Sequence, residues 1–484
     1  MRITIQMIIH TDDQKIVKDI SCLERQDLSA ETLGLTLEEA KVITSSIQET
    51  MTAYQVSQYT LSQRECQCCG NTQRIKGYNS LIYRTLFRIL HLKSPRLLRC
   101  PCQEDGKLSF SPLTKILQEH TAPELLYLES KWASLMSYGT TVKLLEEVFP
   151  IHIRPSSVFD NMVKVSTRLE EELGQEQPIF IEGCQQKWDA LPKPGVPLIV
   201  SLDGGYIHAR EGHNRKAGWF EAIVGKSLQE GFSPKRFGYV VSYDTKPKRR
   251  LYEMLKQQGL QNNQDITFLT DGCDDVRDLP LYLSPKSEHI IDWFHITMKF
   301  TVIKQLVKGM LFPPKLNIKK SDIEENLEKI KWCVWHGNIF KALKKLESLS
   351  FTLEDLVYLG DRVDEEEFYE EDLVPKSENS KEYKLWKAVD ELQEYLKVNS
   401  PFISNYSERY HYGEYISTAF AESTVNEIIS KRMVKQQQMR WTKKGAHQLL
   451  QVRIKSLNQE LRPTFEKWYP NMKKEEPRPL PLAA

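Results

Sequence analysis

Two apolar runs that each end in an Asp-Gly pair place the strongest constraint on the fold of this chain. The run VPLIVSLDGG contains Asp203, and the run ITFLTDG ends at Asp271. Continuous apolar runs of this length are typical of strands buried on both faces of a sheet. We therefore expect both aspartates at strand ends, with the glycines allowing a sharp exit from each strand. The alternative is a pair of ordinary turns, in which Asp-Gly is common.

A third acid, Glu422, begins a helix-like stretch, AESTVNEIISKRM. Two acids at strand ends and one on a helix are the parts of a site that holds two Mg²⁺ or Mn²⁺ ions, clamps a phosphodiester and activates water or a hydroxyl. Without metal the acids could not converge, because like charges at short range raise each other's pKa. Glu422 lies one helical turn before Asn426, so both can face one site, and Glu427 is a competing candidate for the third ligand.

Asp292 and His295 lie three residues apart in the segment DWFH, where a strand leads into a helix. His295 could contact a phosphate or orient a metal-bound water. The alternative is a structural histidine beneath the site.

The nine cysteines are unevenly distributed, which favours metal binding over a disulfide framework. Cys66 and Cys69 are followed by about thirty residues with the alternation of a hairpin, and then by Cys100 and Cys102. This spacing is close to that of a zinc ribbon, in which four thiolates hold a structural Zn²⁺. The second pair is one residue shorter than usual, and Cys68 is a spare thiol that could substitute. The alternative is a set of reduced, buried cysteines.

The net charge of +1 says nothing about nucleic acid, but its distribution does. Eight Lys or Arg and no Asp or Glu lie between Ile428 and Gln459, whereas eight of the twelve residues 361–372 are acidic. Spaced cations bind phosphates and an indole can stack on an unpaired base, although a charge run is usually a solvated face. The predicted DNA contacts are Lys431, Arg432, Lys435, Arg440, Trp441, Lys443, Lys444 and Arg453.

The order of elements predicts an α/β fold. Three β-rich segments in succession, followed by alternating strands and helices, is the order of a ribonuclease H-like fold with the first strand at its centre. Mostly helical sequence interrupts this domain before Glu422.

No stretch approaches the roughly 18 apolar residues of a membrane span, and the N-terminus is interpreted as a strand and not a signal peptide. We therefore expect a cytoplasmic protein without a membrane partner.

At 484 residues the chain can bury two or three cores. We divide it into an N-terminal strand and helix (1–63), a zinc-ribbon-like module (64–104), a helical module resembling a helix-turn-helix or a plain bundle (105–176), a linker (177–195), the first part of the catalytic domain (196–295), an all-helical insertion (296–415), the second part of the catalytic domain with the basic segment (416–468), and a disordered tail (469–484).

Seven features in order resemble a known family. They are the cysteine spacing and the segments SLDGGY, GWFEAIVGKS, FLTDGCDD, HIIDWFHI, ESTVN and SKRMVKQQQMRWTKKGAHQLLQVR. Together they resemble bacterial insertion-sequence transposases of the Kra type, in the Mutator-like group of DDE transposases. The resemblance runs from the GLTLEEAK segment to the LLQVR segment.

The resemblance implies a DDE transposase that cuts DNA at element ends and joins the strands to a target. Asp203, Asp271 and Glu422 would form the triad, with two Mg²⁺ or Mn²⁺ ions per site, and Asp292 and His295 would match the group's Asp-x-x-His signature. The cysteine region would match the family's zinc-finger-like segment. The implied partners are double-stranded DNA and further copies of the chain, in a homodimer or higher oligomer at the nucleoid.

Two other functions remain open from the residues alone. One is an inert, transposase-derived DNA-binding protein, which the intact triad argues against. The other is a ribonuclease H-like nuclease or resolvase without a joining step, which the helical insertion and the N-terminal modules argue against.

Overall fold

The structure of this protein is a computed structural model. It describes residues 1–11, 15–102, 108–178, 180, 184–192, 194, 197–210, 218–273, 276, 279, 287–312, 318–358, 377–417, 423–434 and 440–472. The chain forms two compact units, one from Met1–Leu169 with Lys455–Ala484 and the other from Glu170–Ile454.

The first unit begins with an antiparallel hairpin of β1 (Arg2–His10) and β2 (Lys15–Glu24), where the sequence predicted a single strand. Helix α1 (Leu37–Ser62) follows. It begins with a capping box, in which the Thr36 hydroxyl accepts from the Glu39 N–H (3.2 Å) and the Glu39 carboxylate accepts from the Thr36 N–H (3.0 Å). This arrangement satisfies two backbone donors that a helix N-terminus leaves unpaired.

A three-stranded antiparallel sheet lies next in the chain, formed by β3 (Ile75–Arg84), β4 (Ile89–Leu98) and β5 (Ser109–Phe110). Strands β3 and β4 are the hairpin predicted between the two cysteine pairs. Leu90 and Leu92 on β4 pack against Leu113, which is fully buried.

Four helices follow this sheet in the chain: α2 (Pro112–Ile116), α3 (Pro123–Leu135), α4 (Tyr138–Val148) and α5 (Pro155–Leu173). Helices α3 to α5 share an apolar cluster that includes Leu125, Leu145 and Val158. The break between α3 and α4 comes before Tyr138 and Gly139. Ser137 caps α4 by accepting from the Thr140 N–H at 3.1 Å, so both residues lie inside the helix.

The second unit contains a short helix, α6 (Gln185–Asp189), within the predicted linker, and then a five-stranded mixed sheet. Its elements are β6 (Leu198–His208), β7 (Trp219–Leu228), β8 (Lys235–Val240), helix α7 (Pro247–Gln257), β9 (Ile266–Thr270) and β10 (Ser287–Ile291). The strand order is β10-β9-β6-β7-β8, with β6, β7 and β8 antiparallel and with β9 and β10 parallel to β6. The first strand, β6, lies at the centre, as the sequence predicted.

The two faces of this sheet have separate cores, because successive side chains of a strand point to opposite faces. Leu198, Val200 and Leu202 of β6 pack in a cluster that includes Leu251 and Met254 of α7. Ile199 belongs to the opposite cluster, which is built largely from the helices that follow the sheet. Asp203 shares the side-chain parity of Ile199, so it lies on the face with these helices.

The described residues after β10 are mostly helical, as predicted for the insertion. They form α8 (Trp293–Lys308), α9 (Lys320–Trp335), α10 (Ile339–Tyr358), α11 (Lys381–Val398), a 3₁₀ turn (Ser400–Phe402) and α12 (Tyr406–His411). One apolar cluster runs through all five α-helices. The acidic stretch 361–372 lies outside the described residues.

The chain then forms a π-helix (Asn426–Val434), α13 (Lys443–Leu457), α14 (Leu461–Trp468) and a 3₁₀ turn (Pro470–Met472). The prediction of disorder from residue 469 onward is therefore wrong for residues 469–472. The Tyr469 hydroxyl donates to Glu119 at 2.7 Å, and Met472 is buried. The rest of the predicted tail lies outside the described residues.

None of the helices in the described part of the chain has the length and apolarity that crossing a bilayer requires.

Candidate active site and metal centres

Asp203 lies inside β6 and not at its end, which corrects the sequence prediction. The strand continues through Gly204 and Gly205 to His208, and Asp203 is paired with Val224 of β7. A β-carbon at residue 205 would lie 2.7 Å from Ile429 Cδ1 and 3.0 Å from Val425 Cγ1. Gly205 is therefore needed for close packing of the helical segment on the strand, and not for a turn.

The sheet register brings Asp203, Asp271 and Asp292 to one level. The parallel pairing of β6 with β9 reaches Ser201 and Leu269, so Asp203 and Asp271 each follow two residues later. Asp292 follows the last pair of β9 with β10, and its N–H donates to Thr270 O at 2.8 Å. Three adjacent parallel strands therefore carry an acid at the same level, within β6 and directly after β9 and β10.

The charge of Asp203 is poorly compensated. The residue is 8% exposed, and its pKa is raised to about 6, first because burial desolvates the carboxylate and further because Asp271 and Asp292 are negative neighbours. His295 acts in the opposite direction. A bound divalent cation would supply the missing positive charge, and carboxylate oxygens are the donors that Mg²⁺ prefers.

Asp271 directly follows the last residue of β9, at the strand end that the sequence predicted. Gly272 has φ +90°, a backbone conformation that favours glycine. One carboxylate oxygen of Asp271 accepts from the Cys273 N–H at 3.0 Å, and the other accepts from the Cys273 thiol at 3.2 Å. Nothing in the sequence pattern indicated a thiol at this carboxylate.

Asp292 caps helix α8. Its side chain is fully buried and accepts from the Phe294 N–H at 2.8 Å. His295 Nε2 lies 3.7 Å from Asp292 Oδ2, and the imidazole is 26% exposed. Asp292 therefore has a structural role at the start of α8, and His295 is the member of the pair that a ligand can reach.

Glu422 lies outside the described residues. Helical structure is described from residue 423 onward, and Val425 and Ile429 pack over Gly205, two residues beyond Asp203 on the same face of β6. The competing acid, Glu427, forms a bidentate ion pair with Arg236 of β8. Its two carboxylate oxygens accept from Arg236 Nε at 2.8 Å and from Arg236 Nη2 at 3.1 Å. Glu427 is thus already neutralised by a partner.

Three of the eight predicted DNA contacts are interior residues, which corrects the prediction for them. Arg432 is fully buried, and Trp441 is buried with its indole N–H donating to Met433 O at 3.4 Å. Arg453 is buried and donates to Ile428 O at 2.8 Å and to Glu427 O, so it supports the π-helix backbone. The exposed members are Lys431, Arg440, Lys443 and Lys444, and Lys435 lies outside the described residues.

The four predicted cysteine ligands converge in the first unit. The sulfur atoms of Cys66, Cys69, Cys100 and Cys102 all lie within 4.8 Å of one another, with separations of 3.4 Å for Cys66–Cys102 and 3.4 Å for Cys69–Cys100. Zn–S bonds of about 2.3 Å in a tetrahedron require sulfur separations of about 3.8 Å. The donor set therefore fits a metal ion, and Cys68 is exposed and not part of the group.

Backbone hydrogen bonds prepare one of these thiols for metal. The pKa of Cys66 is lowered to about 6 because the backbone N–H groups of Cys68 and Cys69 donate to its sulfur. A thiolate is the form that binds a metal. The Cys-x-x-Cys turn thus favours the ligand state, and Gly70, with φ +71°, completes it.

A second cluster, of Glu170, Asp244 and His447, was not predicted. Its donor atoms lie within 4.8 Å of one another and could hold a metal ion. The guanidinium of Arg250 already lies among them, at 2.5 Å from Glu170, 2.7 Å from Asp244 and 3.0 Å from His447. A fixed cation thus neutralises the acids, and sequence spacing could not reveal a group drawn from three distant segments.

A cavity of about 870 Å³ is not lined by Asp203, Asp271 or Asp292. It is lined by the first residues of β9 and β10 and by Arg409, Tyr412 and Tyr415. Arg409 is paired with Glu288 and Glu414.

No family model and no curated protein matches the sequence. Among solved structures, a chain of the Drosophila P element transposase strand transfer complex is similar over 70% of this chain and 93% of its own length, at 12% sequence identity and with a TM-score of 0.29. No conclusion about this protein's function rests on a likeness with so low a TM-score.

Proposed function

We propose that this protein is a DDE transposase of the insertion-sequence type, which uses metal ions to cut DNA at element ends and to join the strands to a target. The main support for this proposal is that Asp203 and Asp271 lie at equivalent positions along the adjacent parallel strands β6 and β9. Asp203 is also buried, and its charge is poorly compensated. Carboxylates placed side by side in this way suit divalent cations, which bind through oxygen ligands.

The proposal includes a ribonuclease H-like catalytic domain. What supports it is the strand order β10-β9-β6-β7-β8, with an antiparallel meander of three strands and two further strands parallel to the first. The catalytic domain would comprise residues 196–295 and 416–468 and would be interrupted by the insertion 296–415. The modules at 64–104 and 105–176 would bind DNA.

In the proposed site Asp203, Asp271 and Glu422 hold two Mg²⁺ ions. When bound, these ions activate the attacking water or hydroxyl and stabilise the charge that develops on the transferred phosphate. The packing of Val425 on Gly205 supports the choice of Glu422, because it brings the helical segment that begins at 423 against the strand of Asp203. His295 is partly exposed beside Asp203 and would contact the phosphate.

The four-cysteine group would hold a structural Zn²⁺. Its sulfur geometry and the lowered pKa of Cys66 support this assignment. The exposed cations Lys431, Arg440, Lys443 and Lys444 would bind DNA phosphates, and the active form would be a dimer or higher oligomer on DNA.

The test uses the purified full chain, Mg²⁺, and labelled duplexes cut from the DNA that flanks the gene. Joining of the labelled strand to a target plasmid is expected, and Asp203→Asn and Asp271→Asn should abolish it while leaving DNA binding within about two-fold. Cutting without joining would indicate a nuclease, and binding without cutting would indicate an inert DNA-binding protein. Wild-type joining by either variant would remove the two aspartates from the site.

A further inference from the structure

We propose that Tyr395, on the helical insertion, is a positioning residue that holds the Asp271 turn in its metal-binding geometry. This inference rests on the proposed function, because it assigns the insertion a role at the same site. It concerns a contact between α11 and the end of β9 that the sequence pattern did not indicate.

The contact is a hydrogen bond between a side chain and the backbone of the candidate ligand. The Tyr395 hydroxyl donates to Asp271 O at 2.8 Å, across 124 residues of sequence. Tyr395 also lines a cavity of about 500 Å³ together with Asp271 and His295, so it lies beside the candidate ligands themselves.

A second residue of the insertion meets the same turn. Asn399 is buried, and its amide donates to Tyr395 O at 2.9 Å. Its Oδ1 lies only 2.6 Å from the place that a β-carbon at residue 272 would occupy. Gly272 is therefore required both by its positive φ and by the approach of Asn399, and the turn is held from one side by two residues of one helix end.

The helix that carries Tyr395 is packed into the apolar core of the insertion. Leu392 and Leu396, on the same helix, lie in the apolar cluster shared by the insertion helices. Lys299 of α8 lies over the Tyr395 ring, 4.4 Å from its centre. Packing of the helix and of the ring thus orients the hydroxyl toward the Asp271 carbonyl. Residues that orient metal ligands in this way typically change metal affinity by about 10- to 100-fold when removed.

The insertion also supplies a matched control. The Tyr406 hydroxyl donates to Ile291 O, again at 2.8 Å, but Tyr406 supports the end of β10 and not the Asp271 turn. Tyr406→Phe thus removes the same chemical group from the same insertion without touching the turn.

The experiment measures Mn²⁺ binding by the full, zinc-loaded chain through the electron paramagnetic resonance signal of free Mn²⁺. Asp271→Asn identifies the binding that depends on Asp271. We expect Tyr395→Phe to weaken that binding by about ten-fold, and Tyr406→Phe to change it by less than about two-fold. Thermal melting in the absence of Mn²⁺ checks that the variants are folded.

The possible results separate this inference from the proposed function. If Asp271→Asn weakens binding but Tyr395→Phe does not, the positioning role is wrong and the proposed metal site stands. Equal weakening by the two tyrosine variants would mean general loosening of the insertion, which also overturns the assignment. If Asp271→Asn binds Mn²⁺ as the wild type does, the metal site itself is wrong, and the role of Tyr395 falls with it.

Discussion

Asp203 makes the folded, metal-free protein sensitive to pH. Its pKa is raised from the ordinary value of 3.8 to about 6, so the charged form is less stable in the folded state than in the unfolded chain. The stability linked to this group is complete below about pH 4 and is lost as pH rises through about 6. The loss at pH 8 corresponds to about 3 kcal/mol.

We therefore predict that Asp203→Asn is more stable than the wild type at pH 8 without divalent metal, by up to about 3 kcal/mol, because asparagine has the same shape and no charge. The advantage should disappear near pH 4, and Mg²⁺ should raise the melting temperature of the wild type only. Urea unfolding at the two pH values measures this. Equal stability of the two proteins at pH 8 would contradict the burial argument.

The two Asp-Gly pairs look alike in sequence, yet the structure uses their glycines differently. Gly272 has φ +90° and makes a turn after β9, whereas Gly205 lies within β6 and leaves room for Val425 and Ile429. Sequence spacing marks both as special positions. Only the packing of a segment more than 200 residues away shows what the second one is for.

At the scale of elements, the cysteine module offers a sharp test. We predict one Zn²⁺ per chain, lost in Cys66→Ser with unfolding of the β3–β5 sheet, because binding free energy at such a site is folding free energy. Elemental analysis and circular dichroism measure the two effects. Cys68→Ser is the control: this thiol is exposed outside the group, so its removal should leave zinc and fold unchanged. Loss of zinc in the control would show that Cys68 is a ligand.

The basic segment divides by burial into two classes with different expected effects. Replacing exposed Lys443 and Lys444 with alanine should lower the salt dependence of DNA binding by about two in log–log slope, one for each lost phosphate contact. The free energy of unfolding should change by less than about 0.5 kcal/mol. Fluorescence anisotropy with a labelled duplex of arbitrary sequence, at several salt concentrations, measures the slope.

Arg453→Met should instead lower the free energy of unfolding by about 2–4 kcal/mol. Two backbone carbonyls of the π-helix, one buried and one partly buried, then lose a charged donor. Its salt slope for DNA binding should equal that of the wild type. A changed slope with unchanged stability would mean that Arg453 reaches DNA after all.

For the second unit as a whole, one buried guanidinium joins segments far apart in the chain. Arg250 of α7 is 7% exposed and bonds to Glu170 at the end of α5, to Asp244 after β8, and to Gln451 of α13. The pKa of Glu170 is lowered to about 2, because its interactions with His447 and Arg250 outweigh the opposing effect of burial. Its contribution to stability is therefore present above about pH 4.5 and is lost as pH falls toward 2.

Arg250→Met should destabilise the protein by about 3–5 kcal/mol at pH 7, because the buried side chain of Asp244 and the partly buried side chain of Glu170 then remain without their cation. The deficit should shrink toward pH 4, where these acids can take up protons. Lys329→Met, which removes an exposed ion pair with Glu325, should cost less than about 1 kcal/mol at either pH. Urea unfolding at pH 7 and pH 4 measures both variants, and a deficit that grows on acidification would contradict the network.

The sequence by itself determined the local features of this protein. Apolar runs predicted the central strands β6 and β9, the cysteine spacing predicted four thiols around one point with a hairpin between them, and the sequence after β10 predicted a mostly helical segment. These predictions succeed because each depends on residues within a few turns or one short loop of each other. The hairpin β1–β2 is an exception, since its two strands were interpreted as one.

Only the tertiary structure decided which side chains meet. It brought Asp271 and Asp292 level with Asp203, buried Arg432, Trp441 and Arg453 in a segment that looked like a basic surface, and joined Tyr395 to the Asp271 turn. It also gathered Glu170, Asp244 and His447 around Arg250. Burial and pairing depend on which distant segment covers a residue, and no spacing along the chain contains that information.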